Sequence, residues 1–200
     1  MRRSSANRRD CRRGCSSDDA WADWIRDLGV AYVGISIDGT EVIHDAFRRH
    51  PGAYRQSLAA IRRLRDRGVK VGLRVTMTRD NVASLPAIFD LMRRERVPRI
   101  CLYHLVYTGR GREIAATDLD HAEARAALNT ILAETRTCFE TGFPVEVLTV
   151  DNACDGIALY LRMKAENHPN ADQALELLTL VFAPEVARHG FAARTDSTAA

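Results

Sequence analysis

The sequence predicts an α/β protein built from parallel βα units, on three observations. Short apolar runs alternate with segments of helical period. The runs are near-continuous in apolar character. The stretches between them are long enough for helical crossovers. Continuous apolar strands are expected where helices cover a parallel sheet. About four units are visible, whereas a closed barrel of this kind has about eight. The expected fold is therefore a small open sheet or a partial (β/α) barrel.

The elements follow in order. Residues 1–20 are polar, rich in Arg, Ser and Asp, and lack periodicity, so disorder is expected there. Residues 20–29 read as a short helix stopped by Gly29. Residues 31–37 form the first predicted strand, closed by the turn pair Asp38-Gly39. His44, Asp45 and Arg48 are then expected in a loop, as an internal clamp or as ligand contacts. In the helix expected over 54–67, Tyr54, Leu58, Ile61 and Leu64 share a face, and Gly68 stands in the C′ position. The second strand spans 69–77. The helix of 84–95 presents Leu85, Ile88, Phe89 and Met92, and Val97-Pro98 ends it. The third strand spans 99–106, and a Gly-rich loop follows at 108–112. Asp120 and Glu123 resemble a capping box at the head of a helix over 121–140. The fourth strand spans 144–149. A helix over 153–166 and a second over 171–181 complete the pattern.

Composition narrows the class. The chain is 46% hydrophobic and 28% charged, ordinary values for a soluble globular protein. No apolar stretch approaches the roughly 20 residues that span a bilayer. The Arg-rich N-terminus lacks an apolar segment after it, so no secretory signal is read and the cytoplasm is the expected location. Net charge is +3, and lysine occurs only at Lys70 and Lys164. The Arg bias matches a GC-rich coding sequence, and no basic stripe with interleaved aromatics marks a nucleic-acid footprint. The five cysteines, Cys11, Cys15, Cys101, Cys138 and Cys154, are odd in number and irregular in spacing. That pattern argues for free thiols over a disulfide framework.

Ligands of parallel α/β proteins bind at the C-terminal ends of the strands. The first strand ends with Ser36 and Asp38. The second offers Arg74, Thr76 and, in its loop, Asn81. The third offers Tyr103, His104 and Tyr107, and the fourth Thr149, Asp151 and Asn152. Arg74 can fork onto a carboxylate, Asp38 can accept from hydroxyls or an ammonium, and Ser36 and Thr76 can donate or accept. Such a set suits a ligand with ribose hydroxyls, a carboxylate and an amine. Local roles remain open beside this: Ser36 bonding neighbours, Asp38 shaping its turn, His104 as a satisfied core histidine. Arg74, expected to be buried in its strand, requires a partner.

Two stretches carry a family resemblance. One is Tyr32-Val33-Gly34-Ile35-Ser36-Ile37-Asp38-Gly39, followed by His44-Asp45, Arg48 and Gly52-Ala53-Tyr54. The other runs from Gly68 to Asn81. They resemble the fourth and fifth strand regions of radical S-adenosylmethionine (SAM) enzymes, of the SPASM-type subgroup with a Cys-rich extension. Residues 74–81, 102–111 and 151–156 are most similar to the radical SAM proteins of heme d1 biosynthesis. The resemblance implies a SAM cofactor, a 4Fe–4S cluster, and radical removal of side chains from a siroheme-derived tetrapyrrole. It implies that Ser36 and Asp38 lie at the ribose and amino-acid end of SAM, with Thr76 and Asn81 beside them. It places Arg74 at the SAM carboxylate, and His104 near adenine or substrate.

The departures are also specific. The family holds its cluster with a C-x3-C-x2-C loop after the first strand. Here Cys11 and Cys15 begin such a spacing, but Asp18 stands at the third position. The expectation is a chain lacking the cluster ligands and truncated at both ends: 1–27 outside the family pattern, 28–178 a partial barrel, 179–200 a foreign tail. Such a chain is expected to be inactive alone, with an aggregation-prone strand edge near residue 32. The alternatives are part of a peptide-modifying radical SAM maturase, or a non-catalytic half-barrel that binds nucleotides or a partner subunit.

Overall fold

A computed structural model describes residues 19–189, with the side chains of 181–189 and of Arg110 left aside. The Arg-rich stretch 1–13, Cys11, Cys15 and residues 190–200 of the proposed tail lie outside the described residues. Two compact units divide at Asp151 and Asn152.

The first unit is a four-stranded parallel sheet in sequential order: β1 (Val33–Ser36), β2 (Val71–Thr76), β3 (Arg99–Tyr103) and β4 (Glu146–Val150). Its helices are α1 (Asp19–Asp27), α2 (Glu41–Arg48), α3 (Ala53–Asp66), α4 (Leu85–Glu95) and α5 (His121–Glu140). Every predicted strand is present, each shorter than its apolar run.

Strand alternation divides the sheet. Val71, Leu73, Val75, Ile100 and Leu102 turn to the helices, where Ile61, Leu64, Ile88, Phe89, Met92 and Ile131 complete one buried core. Phe89 and Leu73 have no exposed surface. Burying a side chain of this size stabilises by about 1.5–3 kcal/mol. The opposite face carries Gly34, Ser36, Gly72, Arg74, Thr76, Cys101 and Tyr103, and Gly34 and Arg74 are exposed there.

One local expectation is overturned. His44, Asp45 and Arg48 belong to helix α2 and not to a loop. Glu41 sits in its first turn, where a carboxylate complements the helix dipole. Arg49 ends it with φ 53°, its N–H donating to Ala46 and Asp45 carbonyls. Asp45 then heads the next helix. Its carboxylate accepts from the N–H groups of Gly52 at 2.6 Å and Tyr54 at 2.8 Å. Those two bonds hold its carboxyl below the usual carboxylate range.

The other boundaries follow their signals. Gly68 ends α3 with φ 75°. Asp120 accepts from the N–H groups of Ala122 and Glu123 while Glu123 accepts from that of Asp120, the predicted capping box. α1 is tied to the end of α3 by Arg67, which donates to Asp23 at 2.8 Å and Asp19 at 3.0 Å.

The second unit contains α6 (Cys154–Ala165) and α7 (Ala171–His189), packed as a pair. Gly156 lets Leu178 approach, since a Cβ there would stand 2.6 Å from its Cδ2. No helix among the described residues is long and apolar enough to cross a membrane.

Candidate functional site

Parallel strands bring all four C-terminal ends to one rim. The turn after β1 is held there by a buried polar knot. Asp38 and His44 are buried, at 0% and 1% exposure. The Asp38 N–H donates to His44 Nδ1 at 2.9 Å. Its carboxylate accepts from Arg48 Nε at 2.7 Å and Nη2 at 2.6 Å, and from the Thr76 N–H at 3.4 Å. One side chain thus joins the end of β1, the last turn of α2 and the end of β2.

Asn81 does the same for the loop after β2. It is 1% exposed. Its Oδ1 accepts from the Thr78 N–H at 2.9 Å and its Nδ2 donates to the Thr76 carbonyl at 2.7 Å. Asp38 and Asn81, both proposed from sequence as ligand contacts, therefore spend their side chains inside the protein and fix the backbone around Ser36 and Thr76.

Arg74 corrects a second expectation. It is exposed, whereas burial was expected. The apolar run 69–77 hides the alternation: Val71, Leu73 and Val75 take the helix face, which leaves Arg74 on the other. There Ser36 is its register partner. Its Nη2 donates to the Tyr103 hydroxyl at 2.5 Å, and its guanidinium lies over the Tyr103 ring, 5.0 Å from the centroid. No carboxylate pairs with Arg74 among the described residues. Tyr32 covers the neighbouring part of the face, beneath the Arg99 guanidinium at 4.7 Å. Burial pushes the Tyr32 phenol above its ordinary value.

A cleft of about 490 Å³ opens at the rim. Thr76, Tyr103 and His104 line it at the strand ends, Phe47 and Arg49 at the end of α2, and Asp151 after β4. His104 lies one residue past β3, its N–H donating to the Val150 carbonyl at 3.0 Å. Arg48 faces the cleft but is neutralised by Asp38; Arg49 has no acidic partner among the described residues. Asp80 and Glu113 add acid to the lining. Cation, acid, hydroxyl and apolar wall in one concave site suit an organic ligand bearing carboxylate, hydroxyl and amine groups.

Of the predicted set, Thr76 and His104 line the cleft, whereas Ser36 and Arg74 are register partners on the sheet face beside it and are not among its lining residues. Sequence reasoning missed Phe47 and Arg49, because α2 was read as a loop. It also missed Gly34 and Gly72, whose signal was their place two residues before Ser36 and Arg74 on the same strand face. Among the described residues no three His, Cys, Asp or Glu side chains converge on a point that could hold a metal. Cys101, Cys138 and Cys154 are free thiols, and this set does not fit an iron–sulfur cluster. Arg74, exposed beside Ser36 and without a carboxylate partner among the described residues, has the chemistry to fork onto a ligand carboxylate such as that of SAM.

No protein-family model matches the chain. It is 45% identical over 167 residues to the Fe-coproporphyrin III synthase of Methanosarcina barkeri, covering 84% of this chain and 42% of that protein. It is 42% identical over 154 residues to the pre-heme d1 synthase of Dinoroseobacter shibae, covering 76% of this chain and 38% of that one. An AdoMet-dependent heme synthase of Nitratidesulfovibrio vulgaris is 40% identical over 102 residues, covering 50% of this chain and 28% of the other. The chain thus spans about two fifths of the length of the first two relatives. Among solved structures, anSMEcpe with bound AdoMet and a Cp18Cys peptide superposes with a TM-score of 0.54 at 14% identity, covering 65% of this chain and 37% of that one. That likeness shows a shared fold.

Proposed function

We propose, for a chain homologous to the radical SAM heme enzymes, that its sheet rim forms the SAM-facing and substrate-facing wall of an enzyme that removes side chains from a carboxylate-bearing tetrapyrrole. The cofactor supplies, when bound, radical chemistry at an unactivated carbon. The residues of this chain bind and orient. Arg74 takes the SAM carboxylate through two parallel N–H bonds. Ser36 and Thr76 present hydroxyls to the ribose and amino-acid groups. Asp38 and Asn81 act through the backbone they hold. His104, in the cleft lining, faces adenine or substrate in this reading. Phe47 offers an apolar wall to a macrocycle, and Arg49 a cation to its acid side chains.

The identities favour a tetrapyrrole as substrate. They are 45% and 42% to proteins named for coproporphyrin and heme d1, and 14% to the peptide-bound structure, which carries fold alone. Siroheme-derived and coproporphyrin-type substrates share the same chemistry here: a flat apolar ring with several carboxylates.

One observation carries the reading: Arg74 is exposed at the rim, opposite Ser36, anchored to Tyr103 and without an acidic partner among the described residues. Calorimetric titration of the chain with SAM tests it. Arg74→Ala should weaken binding about ten-fold or more, the worth of a charge-assisted bond pair. Equal affinity for wild type and Arg74→Ala would sink the reading.

A further inference from the structure

Glycine inside a strand weakens it, unless something must approach closely. Two interior glycines, Gly34 of β1 and Gly72 of β2, are register partners on the exposed sheet face. A Cβ on Gly34 would stand 2.6 Å from Cδ and 3.1 Å from Cγ of Arg74. A Cβ on Gly72 would stand 2.6 Å from the hydroxyl and 2.7 Å from Cε2 of Tyr32. The pair makes a flat patch across two strands. The Tyr32 ring fills one half of it and the aliphatic stem of Arg74 the other.

We infer that Gly34 is a positioning residue for Arg74: its missing side chain lets the Arg74 stem lie flat on β1 and so delivers the guanidinium to Tyr103. Three observations support this. The contact at Gly34 is made by the middle of the Arg74 stem, so a Cβ would lever the whole guanidinium aside. The Tyr103 contact, by hydrogen bond and ring face together, fixes where the head must arrive. Tyr32, wedged over Gly72, lies 3.3 Å from a Gly34 Cβ and so occupies the space on one side of the stem. The Tyr32 hydroxyl is buried, and the Arg99 guanidinium lies 4.7 Å from the Tyr32 ring centroid on this face. Gly34 acts on SAM only through Arg74. The inference rests on the reading of Arg74 as the SAM carboxylate ligand.

A double-mutant cycle tests it, with SAM affinity measured calorimetrically on wild type, Gly34→Ala, Arg74→Ala and the double variant. Thermal melts and the Arg74 Nε–H signal in a nitrogen-correlated NMR spectrum accompany the titrations. Gly34→Ala should remain folded, because the preference for alanine over glycine inside a strand offsets part of the cost of displacing the Arg74 stem. It should still weaken SAM binding about ten-fold and move the Arg74 Nε–H signal away from its position over the Tyr103 ring. In the Arg74→Ala background the same change should do nothing to affinity. Wild-type affinity or an unmoved Nε–H signal in Gly34→Ala overturns the inference. So does an equal loss in both backgrounds, which would mean that the methyl blocks the ligand directly, and so does a Gly34→Ala chain that fails to fold. If Arg74→Ala itself binds SAM like wild type, the reading of the site falls first. If Arg74→Ala is weak while Gly34→Ala is not, only the positioning role falls.

Discussion

Arg48 reaches from the last turn of α2 to the fully buried carboxylate of Asp38, donating at 2.7 Å from Nε and 2.6 Å from Nη2. The pair couples the turn after β1 to the helix that borders the cleft. Removing one member of a buried pair leaves an uncompensated charge, which costs more than the pair gains.

Arg48→Ala should therefore lower unfolding free energy by about 2 kcal/mol. That is below the usual cost of breaking a buried pair, because the Arg48 side chain is 32% exposed and water screens it. Asp38→Asn in that background should recover part of the loss. Urea unfolding of the two single variants and the double variant measures both numbers, and a loss of equal size in every background would show that the two groups act independently.

Glu95 gives a pH dependence with a defined sign. It is 7% exposed and accepts from Arg62 at 2.6 and 2.9 Å and from Arg65 at 3.4 Å. The Arg62 bonds, then the surrounding positive charge, hold its carboxyl below the ordinary 4.5. A carboxylate with a lowered folded-state pKa stabilises fully above the unfolded value and less as pH falls. Stability should thus decline as pH drops below about 4.5 and through the lowered folded-state value. Glu95→Gln should flatten that part of the profile. Denaturant midpoints from pH 7 to 3 decide it.

Arg49 and Arg96 both end helices in the left-handed region, each with φ 53°. Glycine takes that conformation without cost. Arg96→Gly should stabilise by about 1 kcal/mol, the left-handed penalty relieved less the added chain entropy of glycine, read as a higher urea midpoint at unchanged slope. Arg49→Gly should do the same. If Arg49 also receives substrate carboxylates, that variant should gain stability while losing affinity for coproporphyrin III in a Soret titration.

The capping box at α5 predicts a local effect. With Asp120→Ala, the N–H groups of Ala122 and Glu123 lose their acceptor, and Glu123 keeps Arg79 at 2.7 Å. Hydrogen exchange in the first turn of α5 should accelerate ahead of the rest of the helix. Uniform acceleration along α5 would contradict a role confined to the cap.

Much of this was legible in the chain itself. The strand–helix rhythm, the Gly68 stop and the Asp120–Glu123 box are local signals, and each stands where the spacing put it. That Thr76 and His104 line the cleft at the strand ends followed from one rule about parallel strands. What failed was information that local sequence does not hold. An apolar run does not reveal which face of its strand looks away from the helices, so Arg74 was expected to be buried. Helix α2 is a bare two turns, and its polar residues serve partners six to ten positions away, as His44 and Arg48 do for Asp38. The pairing of Gly34 with Gly72 depends on a register set by an intervening crossover.

The sheet is ordered β1-β2-β3-β4, with β2, β3 and β4 each hydrogen-bonded to the strand before it in sequence. Its consequence reaches back to synthesis. As these four strands are made, β2, β3 and β4 each find the preceding strand already present, and none of the three has to slot between two earlier ones. These four strands can therefore assemble in chain order, one crossover at a time, with loops closed over modest distances along the chain.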